Sequence, residues 1–275
     1  MNGHVVGMVL LAALLHATWN AMLHRNADPL LSMMWMSIGI AALSALAIPL
    51  LQAPARASWP YIIASGLIHI GYSMSLTRAY RSGEFGDTYP IARGSSPVLV
   101  AVGAAVVAGD HLGMLHLAGV LMVSLGILSL ALHRRPVLMA PAAGALLAGA
   151  LIAVYTVIDG MGVRLAGDAG GYTAWIFIFY AVMPAFFVSR RGTAALRAPL
   201  KVIGTSLIGG VVSIAAYGIV IWAMQFDAMG AVSALRETSV VFAAVIARVF
   251  MQERLTVRRL TACAVIALGA ACIST

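Results

Sequence analysis

Long apolar runs separated by short polar connectors make up almost the whole chain. Each run is close to the length of about 20 residues that a helix needs to cross the hydrocarbon core of a bilayer. The runs predict ten membrane-spanning helices, at 5–23, 30–51, 59–79, 88–108, 112–132, 139–162, 171–188, 202–223, 229–250 and 255–273. None of the connectors has room for a soluble domain. The predicted fold class is therefore an all-α polytopic membrane protein.

The second half of the chain repeats the pattern of the first. Residues 91–112 align without a gap on residues 234–255, and this alignment pairs Arg93 with Arg236. Both segments continue through Ser or Thr and an apolar stretch to an acidic residue. Three further pairs of side chains align between the halves: His16 with Tyr155, Asn20 with Asp159, and Tyr72 with Tyr217 after a two-residue shift.

The predicted spans divide into two sets of five, the first repeat within residues 1–137 and the second within residues 138–275. An odd number of spans forces the second copy to enter the membrane upside down relative to the first. Inverted-topology repeats of this kind are found in secondary transporters, which bind substrate near the midplane where the repeats meet.

The composition excludes a soluble domain. Of the 275 residues, 62% are hydrophobic and only 9% are charged, whereas average proteins carry about 25% charged residues. The net charge of +8 could indicate nucleic-acid binding, but most basic residues lie in connectors, where they orient a membrane protein. The expected partners are the lipid bilayer, a small-molecule substrate and protons, and no nucleic acid. The chain is expected to be a monomer or a homodimer.

The basic residues are distributed unequally between the two sides of the membrane. Twelve lie in or beside the odd-numbered connectors, and only Arg56 and Arg164 lie on the other side, which also holds both termini. Positive residues stay cytoplasmic. The charge pattern therefore predicts a multi-pass protein of the cell (inner) membrane with both termini extracytoplasmic.

Arg93 and Arg236 are the strongest candidates for substrate contact, because an arginine inside an apolar span is costly and marks a buried polar site. Their spans start from opposite faces, so the two guanidinium groups are predicted to flank the midplane. There they could bind a carboxylate, phosphate or phosphonate through bidentate hydrogen bonds that lysine cannot make. The alternative is structural: each arginine reaches the interface or pairs with Glu237 or Asp87.

Three residues are candidates for proton coupling. Asp159 and Glu237 are acidic residues well inside spans, where a carboxylate could take up and release a proton. His69, near the middle of the third span, is a candidate because histidine titrates near neutral pH. Glu237 follows Arg236 directly, so the two side chains are predicted to point about 100° apart and not to share one helix face. The alternatives are an ion pair across spans for Glu237 and a packing role for His69.

His16, Trp19 and Asn20 lie on one face of the first span, at positions i, i+3 and i+4. Tyr155 and Asp159 form the equivalent face of the sixth span. A polar face on an apolar helix points to protein or water rather than lipid, so both faces are predicted to line the substrate site. Trp19 could stack on a planar substrate or cover a cationic group. Alternatively, Trp19 and Asn20 anchor the span at the interface.

Three tyrosines complete the predicted site: Tyr72, Tyr89 and Tyr217. Pro90 and Pro97 lie in the fourth span and are expected to kink it. The sequence contains no catalytic, metal-binding or nucleotide-binding motif. The expectation is a protein that is not an enzyme and uses no cofactor or metal, with energy supplied by ion or substrate gradients.

The chain resembles the EamA-type members of the drug/metabolite transporter superfamily. The residues that carry the resemblance are HATWNAMLHR in the first span, YPIARGSSPVLVA in the fourth, and the acid-closed ends AGDHL and MQERL. The family usually has a Gly-Glu pair at the latter positions, where this chain has Gly109-Asp110 and Gln252-Glu253. The resemblance implies a ten-helix bundle with a central cavity, alternating access, export of a metabolite, and both termini inside, which conflicts with the charge pattern.

The sequence therefore predicts a secondary transporter for a small polar metabolite with an anionic group, amino-acid-like in its chemistry. Arg93 and Arg236 would bind the anion, while Asp159 or Glu237 would meet an amino group or a proton. A second hypothesis is an exporter of cations or drugs that uses Asp159 and Trp19. A third is a membrane scaffold or lipid-handling protein that transports nothing.

Overall fold

The computed structural model describes the backbone of residues 1–24, 28–82, 85–131, 139–250, 252 and 255–275. Side chains are described for these residues apart from 24, 29, 73–82, 85–89, 139–142, 190–191 and 194–195. The helices of this part of the chain are α1 (Gly3–His24), α2 (Pro29–Ala47), α3 (Trp59–Ser82), α4 (Phe85–Val107), α5 (Met114–Ala131), α6 (Met139–Ala166), α7 (Ala169–Phe177), α8 (Met183–Arg191), α9 (Leu200–Ala223), α10 (Met229–Arg236), α11 (Ser239–Phe250) and α12 (Val257–Ser274).

Among the described residues, nine helical segments are long and apolar enough to cross a membrane. They are Gly3–Leu23, Leu30–Leu50, Pro90–Val107, Met114–Ala131, Ala143–Ala166, Ala169–Ser189, Leu200–Ala223, Met229–Phe250 and Val257–Ser274. The chain is accordingly a multi-pass membrane protein. The third predicted span, 59–79, is not one of the nine. It forms the 24-residue helix α3, whose apolar character is interrupted by Ser65 and His69.

Two of the predicted spans are interrupted helices. In the seventh, a 3₁₀ segment at Ile178–Val182 separates α7 from α8, just before Pro184, which cannot donate a backbone hydrogen bond to the preceding turn. In the ninth, α10 ends at Arg236 and α11 begins at Ser239. In contrast, α4 runs unbroken through Pro90 and Pro97.

Side chains of two aspartates fix where helices start. Asp28 accepts hydrogen bonds from the backbone amides of Leu30 and Leu31, and so caps the start of α2. Asp168 does the same for α7 through the amides of Gly170 and Gly171. Each cap satisfies amides that the helix itself leaves without a partner.

Glycines allow two helix pairs to pack closely in antiparallel directions. On α5 and α12, a Cβ atom added to Gly119 would lie 2.6 Å from the carbonyl oxygen of Gly269. Further along the same pair, Gly126 meets Ile266. On α4 and α10, Gly230 packs on Ala101. Small residues at such crossings let helix backbones approach in membranes.

The two ends of the bundle are called face A and face B. Face A is where α1, α7 and α10 begin and where α6 and α9 end; face B is the opposite end. Helix α1 packs against α9, α10 and α11, and α6 packs against α3 and α4. The half of the bundle nearer face A is filled by apolar side chains with no solvent exposure, including Val9, Val163, Met224, Met229 and Val232.

Candidate functional site

One cavity lies between the core and face B, and α1, α2, α3, α4, α6, α7, α9 and α10 contribute to its wall. It encloses about 110 Å³ of space for water-sized molecules, which suits a small substrate. Most residues that the sequence singled out lie on this wall: His16, Trp19, Asn20, His69, Tyr72, Arg93, Tyr155, Tyr217 and Arg236.

Arg93 and Arg236 meet at a shared carboxylate. Nε of Arg93 lies 3.1 Å from Oε2 of Glu237, and Nη2 of Arg236 donates to Oε1 of the same residue at 3.1 Å. The two arginines are 4% and 2% exposed, and Glu237 is not exposed at all. The structural alternative considered for the arginines, a pair with Glu237, is therefore present for both.

The interruption between α10 and α11 shapes this cluster. The backbone amides of Glu237, Thr238, Val240 and Val241 each bond to the carbonyl three residues earlier, in the pattern of a 3₁₀ turn. Arg236 reaches the cavity wall, whereas Glu237 contacts Arg93 on α4. Arg236 and Glu237 occupy neighbouring positions, and their long side chains also reach across the angle between these positions and bond to each other.

Among the described residues, the two arginines of the cluster share one carboxylate. Both arginines line the cavity, while Glu237 lies behind them. The cavity wall between α4 and α10 therefore carries two guanidinium groups, which have five donors each and no acceptor.

Helix α1 supplies His16, Trp19 and Asn20 to the same wall. Nη2 of Arg93 donates to Nε2 of His16, and the His16 ring packs edge-on against Trp19 with centroids 5.0 Å apart. The amide of Asn20 donates to the carbonyl oxygen of His16 at 2.8 Å. Nε1 of Trp19 is buried, and the described part of the chain offers it no acceptor.

Asp159 lies one layer behind the cavity wall, surrounded by side-chain hydroxyl groups. The hydroxyl of Tyr217 donates to Oδ2 at 2.7 Å, and that of Tyr172 approaches Oδ1 at 3.4 Å. Ser65 also hydrogen-bonds to this carboxylate. Asp159 is not exposed, and in the described part of the chain it has no basic side chain within ion-pair distance.

His69 connects the hydroxyl groups around Asp159 to the cavity. Its Nδ1 lies 3.1 Å from the hydroxyl of Ser65, the residue that also bonds to Asp159. The ring lines the cavity and lies against Tyr155 and Tyr217, with centroids 4.1 and 5.4 Å apart. A chain of polar groups therefore runs from the cavity through His69 and Ser65 to Asp159.

Several residues of the site were not predicted from the sequence. Helix α2 contributes Met33, Met36, Ser37 and Ile40 to the cavity wall, and the α7 region contributes Phe177 and Tyr180. Apolar residues give no signal in a search for polar positions. Ser65 could have been found, because it lies four residues before His69 and so on the same helix face.

Two residues named in the sequence analysis have side chains outside the described part of the structure. Tyr89 lies in α4, but outside the residues whose side chains are described, as does Asp87. Among the residues that are described, no three His, Cys, Asp or Glu side chains come together in a way that could hold a metal ion.

Comparison with known proteins gives a family and a fold. The model of the EamA-like transporter family matches residues 139–275. No curated protein matches the sequence. Twenty-five solved chains match the structure. One of them is a crystal structure of a protein with 21% identity and a TM-score of 0.72, over 98% of this chain and 94% of that one. At this identity the likeness shows the fold alone.

Proposed function

Because the chain belongs through residues 139–275 to the EamA-like transporter family, of the drug/metabolite transporter superfamily, we propose that it is a secondary transporter for a small metabolite. The metabolite carries an anionic group and is amino-acid-like, and the direction is export. It moves by alternating access, and no step requires catalysis or a cofactor.

The observation that carries the proposal is the pair of arginines on the cavity wall. Arg93 and Arg236 both contact Glu237 and both line the cavity. A substrate carboxylate or phosphonate between them would accept charge-assisted hydrogen bonds from both guanidinium groups. Both arginines are nearly buried, so each such bond is stronger than it would be in solvent.

Packing supports ten spans arranged as two inverted repeats, 1–137 and 138–275. Helices α4 and α10 carry the paired arginines and cross antiparallel, as shown by the contact of Ala101 with Gly230 and of Arg93 with Glu237. The matching pair α5 and α12 is also antiparallel. Helices that correspond in two inverted copies are expected to run in opposite directions. In this arrangement α3 also crosses the membrane, which brings the nine apolar spans to ten.

For energy coupling we propose Asp159 rather than Glu237 as the proton carrier. Glu237 is held between two guanidinium groups, and a proton on it would remove the negative charge that both cations share. Asp159 has only hydroxyl partners among the described residues, and hydroxyls can bond to either protonation state of a carboxylate. His69 and Ser65 link it to the cavity.

The cation or drug exporter is the second candidate, and the geometry gives it less support. Asp159 does not reach the cavity wall, which carries Arg93 and Arg236 instead. A cation would therefore meet these two guanidinium groups, while Asp159 and Glu237 lie behind the wall. The observation in its favour is the ring of aromatic side chains, including Trp19, Tyr72 and Tyr155, which could surround an ammonium group. A scaffold has no need of such a charged cavity.

The charge pattern supports an inner-membrane protein with face B cytoplasmic and both termini outside. In that orientation the cavity lies toward the cytoplasm, and the tightly packed half of the bundle closes the outer side. A transporter in this conformation can bind a cytoplasmic metabolite for export.

A ligand screen tests the proposed function directly. The purified protein is heated with small carboxylates, phosphonates, zwitterionic amino acids and quaternary ammonium compounds, since a ligand at 100 times its dissociation constant adds about 2.7 kcal/mol of stability. Compounds that raise the melting temperature are then tested for flux in proteoliposomes. Anionic or zwitterionic substrates support the proposal. Flux of cations alone would favour the second candidate, and a protein that moves none of them is not this transporter.

A further inference from the structure

At face A, Arg164 joins four parts of the chain. Its guanidinium donates to both carboxylate oxygens of Asp110, at 2.6 and 3.1 Å. It also donates to the backbone carbonyls of Met224 at 2.9 Å and Asp227 at 3.1 Å. Asp110 in turn accepts from the backbone amide of Met229 at 2.9 Å. These five residues are called the face A clamp.

The face A clamp ties together elements from both halves of the chain. Asp110 follows α4, Arg164 lies in the last turn of α6, and the backbone partners run from the end of α9 to the start of α10. A bidentate pair fixes both distance and orientation. The clamp therefore holds α4, α6 and α10 at one separation on this face.

An apolar layer lies between the clamp and the cavity. Along α10, Met229 belongs to the clamp, Val232 is fully buried, and Arg236 lines the cavity. Seven residues separate Met229 from Arg236, which corresponds to about 10 Å of helix. Val163, Met224 and Val232, all without solvent exposure, fill this layer.

On the outer side the clamp borders a second, polar cavity that is lined by Asp110, Arg164, His116, Gln225 and Asp227. Arg164 and Asp110 keep 30% and 12% of their side-chain surface exposed. The clamp is thus exposed on face A, whereas the side chains of the apolar layer beneath it have no exposed surface. The two cavities lie on either side of one barrier.

We propose that the face A clamp and the apolar layer beneath it are the gate that closes face A, and that the Arg164–Asp110 pair breaks when the substrate cavity opens to this side. The inference rests on the proposed alternating-access function. Its physical basis is that an interaction made only when face A is closed stabilises the closed conformation relative to the open one. The clamp joins elements of both repeats, so it can exist only while those elements are together.

The clamp is not a proton sensor near neutral pH. Partial burial favours the protonated form of Asp110, but the hydrogen bonds from Arg164 and from the Met229 amide outweigh it and lower the pKa of this carboxyl below its ordinary value. Asp110 is therefore ionised throughout the neutral range, and opening must come from substrate binding or from the coupling ion.

Thiol labelling tests the gate without a substrate. In a background with Cys263 and Cys272 replaced by Ser, Val232→Cys places a thiol in the apolar layer, and exposed Phe226→Cys serves as the accessible reference on face A. An impermeant maleimide is applied to sealed vesicles of each orientation. Asp110→Asn and Arg164→Gln are expected to raise the labelling rate of Val232→Cys by about tenfold, because closed-state bonds are lost.

Arg56→Gln is the matched control, since Arg56 is an exposed arginine on the same face and outside the clamp. It should change the labelling rate by less than about twofold, as surface charges contribute little. Variants are compared only after they elute as single species in detergent. If folded Asp110→Asn and Arg164→Gln proteins both label at the parent rate, the gate assignment is wrong.

A cross-link gives a second, independent test. A Cβ on Gly230 would lie 2.8 Å from Cβ of Ala101, so Ala101→Cys with Gly230→Cys can form a disulfide after a small separation of α4 and α10. Oxidation should stop flux and reduction should restore it to the level of the single Gly230→Cys variant, which is the reference because a Cβ at this position already meets Ala101. The single Ala101→Cys variant should keep the parent flux. Flux that survives a complete cross-link would overturn the gate. If the clamp variants raise the labelling rate of Val232→Cys but the protein moves no substrate, the proposed function is wrong and the gate assignment stands.

Discussion

Tyr217 on α9 donates a 2.7 Å hydrogen bond to Asp159 on α6, joining two residues that are 58 positions apart in the chain. Tyr217 lines the cavity and Asp159 does not. The hydrogen bond therefore connects the cavity wall to a carboxylate that a substrate in the cavity cannot touch. A substrate that displaces the tyrosine ring changes the hydrogen bonding of Asp159, which is one route by which transport can be coupled to a proton.

We expect Asp159→Asn to abolish accumulation of substrate against its gradient while exchange of labelled for unlabelled substrate continues. The amide fixes the position in a neutral form that resembles the protonated acid. Tyr217→Phe removes only the hydroxyl and should weaken accumulation without abolishing it. Proteoliposomes with and without an imposed pH gradient provide the measurement. Accumulation by Asp159→Asn with the parent dependence on pH would exclude this carboxylate as the carrier.

The paired arginines give a second prediction. Arg93→Lys and Arg236→Lys should each reduce the ratio kcat/KM for an anionic substrate by about tenfold or more, because a charge-assisted hydrogen bond is worth about 1.5–3 kcal/mol. Lysine keeps the charge but loses the planar pair of donors. Arg248→Lys is the control, since this arginine is also on an apolar helix but exposed on its outside. Equal flux in all three variants would make the arginines structural.

Glu237 should matter for stability more than for coupling. Glu237→Gln leaves Arg93 and Arg236 side by side without the carboxylate they share. Leaving a buried charge without its partner costs about 3 kcal/mol or more, so the melting temperature in detergent should fall clearly. A small anion of the substrate class should restore part of the loss by taking the empty place. A variant as stable as the parent would mean that the arginines find other partners.

The sequence predicted the helical regions because hydropathy and span length depend on local composition alone. It did not predict the interruptions at Ile178–Val182 and between Arg236 and Ser239, since a change from α to 3₁₀ hydrogen bonding leaves an apolar run apolar. Pro184 was a usable signal for the first. In α4, the helix continues through Pro90 and Pro97, and the kink expected there stays a prediction.

At the site, the polar residues of the repeats led to the cavity, but not to the partners of each side chain. Asp110 was noted only as the acidic end of a repeated segment and Arg164 only for its part in the charge pattern, yet they bond to each other across 54 residues. Asp159 was expected at the substrate and lies behind Tyr217 instead. Which side chain is in front depends on helix rotation and packing, and periodicity does not give either.

Close packing of α5 on α12 gives a prediction about stability. Gly119→Ala should lower the unfolding free energy by about 1–3 kcal/mol, as overpacking of a close contact does, because its Cβ would lie 2.6 Å from the Gly269 carbonyl oxygen. Gly144→Ala is the control, as a Cβ there meets nothing within 4 Å. Thermal unfolding in detergent compares the two. Equal melting temperatures would show that the helices separate easily at this crossing.

Orientation can be decided with a tag on Thr275. The charge pattern places both termini outside, whereas the family resemblance implies both inside. An impermeant reagent should therefore reach the tag in intact cells. A tag that reacts only after the membrane is broken would reverse the assignment of faces, and the cavity would then lie toward the outside.

Acid should open the face A gate only well below neutral pH. The pKa of Asp110 lies below its ordinary value. The bond to Arg164 is therefore fully present when the pH is above the ordinary pKa of an aspartate, and it is lost only as the pH falls through the lowered pKa of Asp110. The labelling rate of Val232→Cys, divided by that of Phe226→Cys to remove the pH dependence of thiol reactivity, should be constant from about pH 8 to pH 5. His111 and His116 also line the outer cavity. A normalised rate that rises between pH 7 and pH 5 would mean that a group other than Asp110 controls the gate, and His116→Gln would test whether His116 is that group.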